Sequence, residues 1–144
     1  MNENHFFQNF ITFTASVHQL KHALTSDLRP KNLTPIQYSI LEYISVNQPV
    51  IPSDISECQQ ISMPNISREL KKLTEKDLIT KHADEKDRRK QYIVLSKEGK
   101  AIMDSVFYEI DYKLKERLHI LEEEELLEIN NAMDLLQKKL FFSK

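Results

Sequence analysis

The sequence has one glycine, one cysteine and no tryptophan in 144 residues. A single glycine, Gly99, leaves no material for a glycine-rich phosphate loop or a Gly-x-Ser-x-Gly nucleophile elbow. A single cysteine, Cys58, allows neither an internal disulfide nor a cysteine pair for zinc, and suits a reducing compartment. No His-Glu-x-x-His pattern occurs, and no apolar run approaches the ~18 residues that would cross a bilayer. The opening Met1-Asn2-Glu3-Asn4-His5 lacks the positive charge of a signal peptide, so the expected location is the cytoplasm. These absences argue against an enzyme, and no cofactor or metal is expected.

Charge of one sign is also lacking overall, with a net of −2. The distribution is uneven, however. Residues 68–100 hold eleven Lys or Arg against seven Asp or Glu, a net of +4 inside an otherwise acidic chain. Such a segment attracts phosphate if its cations share a face, and is an ordinary solvated face if they do not.

With so few breakers and 40% hydrophobic residues, the chain reads as mostly helical and globular. Phe6, Phe10, Phe13, Val17, Leu20 and Leu24 recur at spacings of three and four and predict a first helix over 4–28, stopped by Pro30. Thr34-Pro35-Ile36-Gln37 has the form of a capping box and starts a second helix. Pro52 opens a short helix, 52–59, around Ile55. Ser62 caps another, 63–76, whose inward stripe is Ile66, Leu70 and Leu73. Leu78–Lys81 and Gln91–Leu95 have the β-branched and aromatic character of strands, joined by the charged stretch 83–90. Ser96 caps a long helix, 97–120, and Glu122–Glu125 suit the positive end of a last one.

Three compact helices followed by a two-stranded hairpin make a winged helix-turn-helix plan, mostly α with a small β wing. Helices 52–59 and 63–76 form the helix-turn-helix pair. The second helix would present Ser62, Met63, Pro64, Asn65, Ser67 and Arg68 to base edges in the major groove of double-stranded DNA, with Lys71 and Lys72 placed for phosphates. Arg88, Arg89 and Lys90 at the hairpin tip supply a second contact, suited to the narrow minor groove. The alternative is a winged-helix protein-interaction module, which would not need these cations on converging faces.

An ordered set of stretches resembles the MarR family of transcription regulators. They are Leu33-Thr34-Pro35-Ile36-Gln37-Tyr38, Asp54-Ile55-Ser56-Glu57, Ser62–Arg68, Leu70–Ile79, Asp87-Arg88-Arg89 and Ile93–Gly99. The resemblance covers nearly the whole chain and implies one domain over 1–144. Its winged lobe would span 34–96, and its dimerisation helices 4–29 and 97–142. It implies that Arg89 enters the minor groove and that Asp87 holds it by a charge-assisted hydrogen bond; the alternative is a surface ion pair of small weight. It also implies a homodimeric regulator on a palindromic operator, expected to repress, with intertwined terminal helices. Phe6, Phe7, Phe10, Phe13 and Val17 at one end, with Met133, Leu136, Leu140, Phe141 and Phe142 at the other, are apolar surface that such a partner would cover. A small aromatic or lipophilic effector is implied as well, with His18, His22 and Tyr38 the candidate pocket residues. The sequence departs from the family pattern at Asp77, where a glycine is usual, and at Gln59, Gln60 and Ile51. Cys58 reads as a small half-buried residue.

Overall fold

The computed structural model describes residues 1–141 as six α-helices and one hairpin: α1 (Glu3–Thr25), α2 (Pro35–Asn47), α3 (Pro52–Gln59), α4 (Met63–Glu75), β1 (Ile79–Ala83), β2 (Gln91–Leu95), α5 (Lys97–Leu118) and α6 (Glu123–Leu136). A π-helical turn, Gln137–Phe141, continues α6. The chain divides into two compact units, the first Met1–Glu109 and the second beginning at Ile110. Among the described residues no helix is long and apolar enough to cross a membrane. Phe142, one of the expected apolar partner-facing residues, lies outside the described residues.

The first unit is built around one apolar core. Ile40, Leu41 and Ile44 of α2 meet Ile55 of α3, then Ile66, Leu70 and Leu73 of α4. Leu33, Val50, Leu78, Ile79, Ile93 and Met103 complete it. The expected capping box is formed in full: the Thr34 hydroxyl accepts from the Gln37 N–H at 3.2 Å, and the Gln37 side-chain oxygen accepts from the Thr34 N–H at 3.3 Å. Two backbone N–H groups that the helix leaves unpaired are thereby satisfied.

The hairpin pairs antiparallel in the register Ile79 with Leu95 through Ala83 with Gln91. Val50, in the connection between α2 and α3, bridges to Ile93 on the free edge of β2 through two backbone bonds of 3.1 and 2.7 Å. The Gln48 side-chain oxygen accepts from the Leu95 N–H at 2.9 Å. The wing is therefore tied to the helical lobe along its base and left free at its tip.

Several boundaries differ from expectation. Helix α1 ends at Thr25, before Pro30 forces a stop, because the chain turns at Ser26–Leu28 and the Leu28 N–H bonds back to Thr25. Strand β1 starts one residue later and ends two later than its β-branched core suggested, leaving only 84–90 as the loop. Helices α1 and α6 contain no buried residue at all.

Candidate nucleic-acid interface

Helix α3 begins without a side-chain cap, as expected of Ile51. The Asp54 carboxylate compensates in part by accepting from the Ile51 N–H at 3.5 Å. The corner between α3 and α4 requires a left-handed residue, and Gln60 supplies it with φ 53°. Gln59 is tied to α2, where its side-chain oxygen accepts from the Ser39 hydroxyl at 2.7 Å. Ser56 closes the corner through its hydroxyl, which donates to the Ile61 carbonyl. Polar side chains thus do here what an apolar residue and a glycine would do otherwise.

Ser62 then caps α4, accepting from the Asn65 N–H at 3.4 Å. Ile66, Leu70 and Leu73 face the core, so the helix must turn Met63, Pro64, Asn65, Ser67, Arg68, Lys71 and Lys72 outward, and all seven are exposed. Arg68 is held along its own helix: Nη2 donates to Asn65 Oδ1 at 2.6 Å and Nε to the Pro64 carbonyl at 3.5 Å.

The inner edge of α4 is locked to α2 by a polar cluster. Gln37 is only 3% exposed. Its side-chain oxygen accepts from Lys76 Nζ at 2.9 Å, while its nitrogen donates to Glu69 at 3.2 Å. Glu69 also pairs with Lys72 at 3.4 Å, and Lys76 donates to the Asn32 carbonyl at 2.6 Å. Two cations of the basic segment are therefore partly spent on holding α4 in place.

Helix α4 ends as the sequence allows. Asp77 takes the left-handed position with φ 59°, the Leu78 N–H reaches the Leu73 carbonyl at 3.0 Å, and the Asp77 N–H reaches Thr74 at 3.0 Å. At the wing tip, Asp84 accepts from the Lys86 N–H and Asp87 from the Arg89 N–H, each at 3.1 Å. Asp87 thus holds the Arg89 main chain, where the resemblance implied a grip on its side chain. Arg88, Arg89 and Lys90 are exposed, and none of them forms an ion pair among the described residues.

Helix and wing meet in one hollow of about 310 Å³, lined by Ile51, Pro52 and Ser53 of α3's start, Met63 of α4, and Arg89, Lys90 and Gln91 of the wing. Arg89 and Lys90 of the wing therefore lie beside Met63, the first residue of α4.

Residues 31–90 match the sequence model of the MarR family. The regulator SarZ of Staphylococcus aureus, described as HTH-type, is 29% identical over 131 residues, covering 91% of this chain and 88% of its own. The solved structure of a MarR family protein from Bacillus stearothermophilus superposes with a TM-score of 0.80 at 17% identity, covering 98% of this chain and 99% of that one. S. aureus MarR in complex with salicylate and kanamycin gives 0.64 at 24% identity, covering 98% and 93%.

The chain has a winged-helix fold, and its residues 31–90 are similar to the MarR family. The curated relatives that it matches are HTH-type transcriptional regulators. The three candidate effector residues lie on α1 and α2, which the Lys21–Glu42 ion pair joins at 2.9 Å. His18 and His22 are exposed on α1, whereas Tyr38 is half-buried. The Tyr38 hydroxyl is buried and meets no group in good hydrogen-bond geometry, with the Glu42 carboxylate its neighbour. Burial, then the negative charge of Glu42 and a hydrogen bond to it, raise the Tyr38 pKa above the ordinary phenol value. A separate hollow beside α5 is lined by Leu28, Pro30, Ile102, Ser105, Val106 and Glu109 among others, and holds none of the three. Cys58 is exposed, not half-buried as its place in α3 suggested. The inward side of that short helix is taken by Ile55, Ser56 and Gln59.

Proposed function

We propose that this protein is a MarR-family DNA-binding transcription regulator, a cytoplasmic repressor that binds a palindromic operator as a homodimer. Helix α4 would enter the major groove and the 83–90 tip the adjacent minor groove. The observation that carries this reading is the hollow that sets Arg89 and Lys90 of the wing beside Met63, the first residue of α4, whose exposed residues include Arg68, Lys71 and Lys72. Ser62, Met63, Pro64, Asn65, Ser67 and Arg68 are the set presented to the major groove, Lys71 and Lys72 the phosphate set, and Asp87, Arg88, Arg89 and Lys90 the wing set.

Dimerisation is supported by apolar surface that α1, α5 and α6 leave in water. Phe7 is 59% exposed, Tyr108 70% and Leu127 59%. A second copy is the natural cover for such surface, and a two-fold axis would set half-sites ~34–36 Å apart. Release by a small aromatic ligand is supported by the poorly satisfied, buried Tyr38 hydroxyl and by the salicylate held by the S. aureus structure.

Footprinting the protein on DNA upstream of its own gene tests the reading, with sedimentation giving the mass of the free protein. Protection of two half-sites one helical turn apart by a dimer is the expected result. A monomer indifferent to any duplex would leave the protein-interaction reading in its place. Calorimetry with salicylate should show heat of binding and a weaker hold on DNA.

A further inference from the structure

We propose that Arg68 reads a guanine in each operator half-site and that Asn65 does not read a base but positions the Arg68 guanidinium. The inference rests on the DNA-binding reading above and adds which base α4 selects and how. A guanidinium has two edges that can donate paired hydrogen bonds: a side edge formed by Nε and Nη2, and an end edge formed by Nη1 and Nη2. Here the side edge is already engaged with the helix's own first turn, Nη2 with Asn65 Oδ1 at 2.6 Å and Nε with the Pro64 carbonyl at 3.5 Å. What remains is the end edge, two parallel N–H donors with no acceptor between them. In the major groove the matching pattern is two adjacent acceptors, which guanine offers as O6 and N7.

The same bond decides the part played by Asn65. Recognition of adenine by an asparagine needs the side-chain oxygen to accept from N6 while the nitrogen donates to N7. In Asn65 that oxygen already accepts from Arg68 at 2.6 Å, which ties the amide to the guanidinium and leaves a single lone pair for adenine N6. The backbone of Asn65 is fixed independently by the Ser62 cap, and both side chains are exposed, so changing either leaves the core untouched. A flexible arginine usually surrenders rotamer freedom when it binds. One already held against its helix surrenders less, which favours a single geometry and sharpens the choice of base.

The test begins by selecting duplexes from a random pool with the wild-type protein. Each guanine of the recovered half-site is then replaced singly by 7-deazaguanine, which lacks the N7 acceptor. Binding is measured for wild type, Arg68→Lys, Asn65→Ala and Asn65→Asp. At one guanine per half-site the wild type should lose roughly tenfold in affinity, one charge-assisted hydrogen bond. Arg68→Lys, without a planar fork, should lose most of that discrimination, and Asn65→Ala part of it. Asn65→Asp keeps the acceptor and should keep the discrimination, although its added charge weakens binding to every duplex alike. Asp behaving like Ala would overturn the positioning role. A selected half-site in which no guanine depends on Arg68 would overturn the base assignment while leaving DNA binding intact. Failure to enrich any sequence would remove the DNA-binding reading and this inference with it.

Discussion

A Cβ placed on Gly99 would stand 2.1 Å from the carbonyl oxygen of Leu78. That oxygen already accepts from the Ser96 N–H at 3.0 Å, and the Ser96 hydroxyl donates to the Asp77 carbonyl at 2.6 Å while accepting from the Gly99 N–H at 3.0 Å. The end of α4, the root of β1 and the start of α5 are thus fastened at one point. The wing and the recognition helix keep their relative aim through it. Gly99→Ala puts a methyl group against backbone that cannot rotate away, so it should cost about 3 kcal/mol, the upper end for overpacking. Urea unfolding measures it. A loss below about 0.5 kcal/mol would mean that the joint yields easily.

Asp87 is expected to act through the main chain of Arg89, given its 3.1 Å bond to that N–H. An amide accepts the same bond, so Asp87→Asn should keep most operator affinity. Asp87→Ala frees the tip and should lose about tenfold, and Arg89→Ala should lose more with the fold unchanged. Asn behaving like Ala in a gel-shift titration would show that the carboxylate charge is what matters, and would restore the ion-pair arrangement.

The lysines of α4 should differ in their salt dependence. Lys71 is exposed and makes no ion pair among the described residues, whereas Lys76 donates to Gln37 and Asn32. Each lysine that neutralises a phosphate contributes about 0.9 to the log–log salt slope of binding. Lys71→Ala should lower the slope by about one. Lys76→Ala should leave it nearly unchanged and reduce stability instead, because Gln37 loses a buried partner. Equal slope losses from the two would place Lys76 on the DNA.

Much of this was legible in the residues. The stripe Ile66, Leu70 and Leu73 fixed which way α4 faces, and so which side chains are exposed. Thr34 with Gln37, and Ser62 and Ser96 before their helices, marked three helix starts that hold. The tolerance of Asp77 for a left-handed turn was readable too, since a short polar side chain meets less steric resistance there. What stayed hidden was the second use of side chains already assigned one. Gln37 read as half of a capping box, yet its place four residues after buried Leu33 and three before Ile40 puts it inside the core, where it needs Glu69 and Lys76 as partners. That spacing was the signal available. Nothing local announced that Arg68 would bond back to Asn65, because a three-residue separation on a helix permits the contact without requiring it.

Tyr38 offers a test in which stability and pH answer together. Its hydroxyl is buried with no well-aligned partner beyond the neighbouring Glu42 carboxylate, so Tyr38→Phe removes a polar group whose desolvation is poorly repaid. The variant should be as stable as wild type at neutral pH, or more stable by about 1 kcal/mol. In the folded protein the Tyr38 pKa is raised above 10.0, by burial first and then by Glu42. The unfolded chain therefore releases this proton first as pH rises past about 10, and the folded state loses stability above that point. Below it, no loss arises from this group. Urea midpoints at several pH values from about 8 to about 11 should fall less steeply for the Phe variant. Tyr43, raised by its own burial and then by Asp54, keeps a residual slope in both proteins. If Phe instead destabilises by more than about 1 kcal/mol, the hydroxyl has a partner in solution, and the case for an effector reaching it is lost.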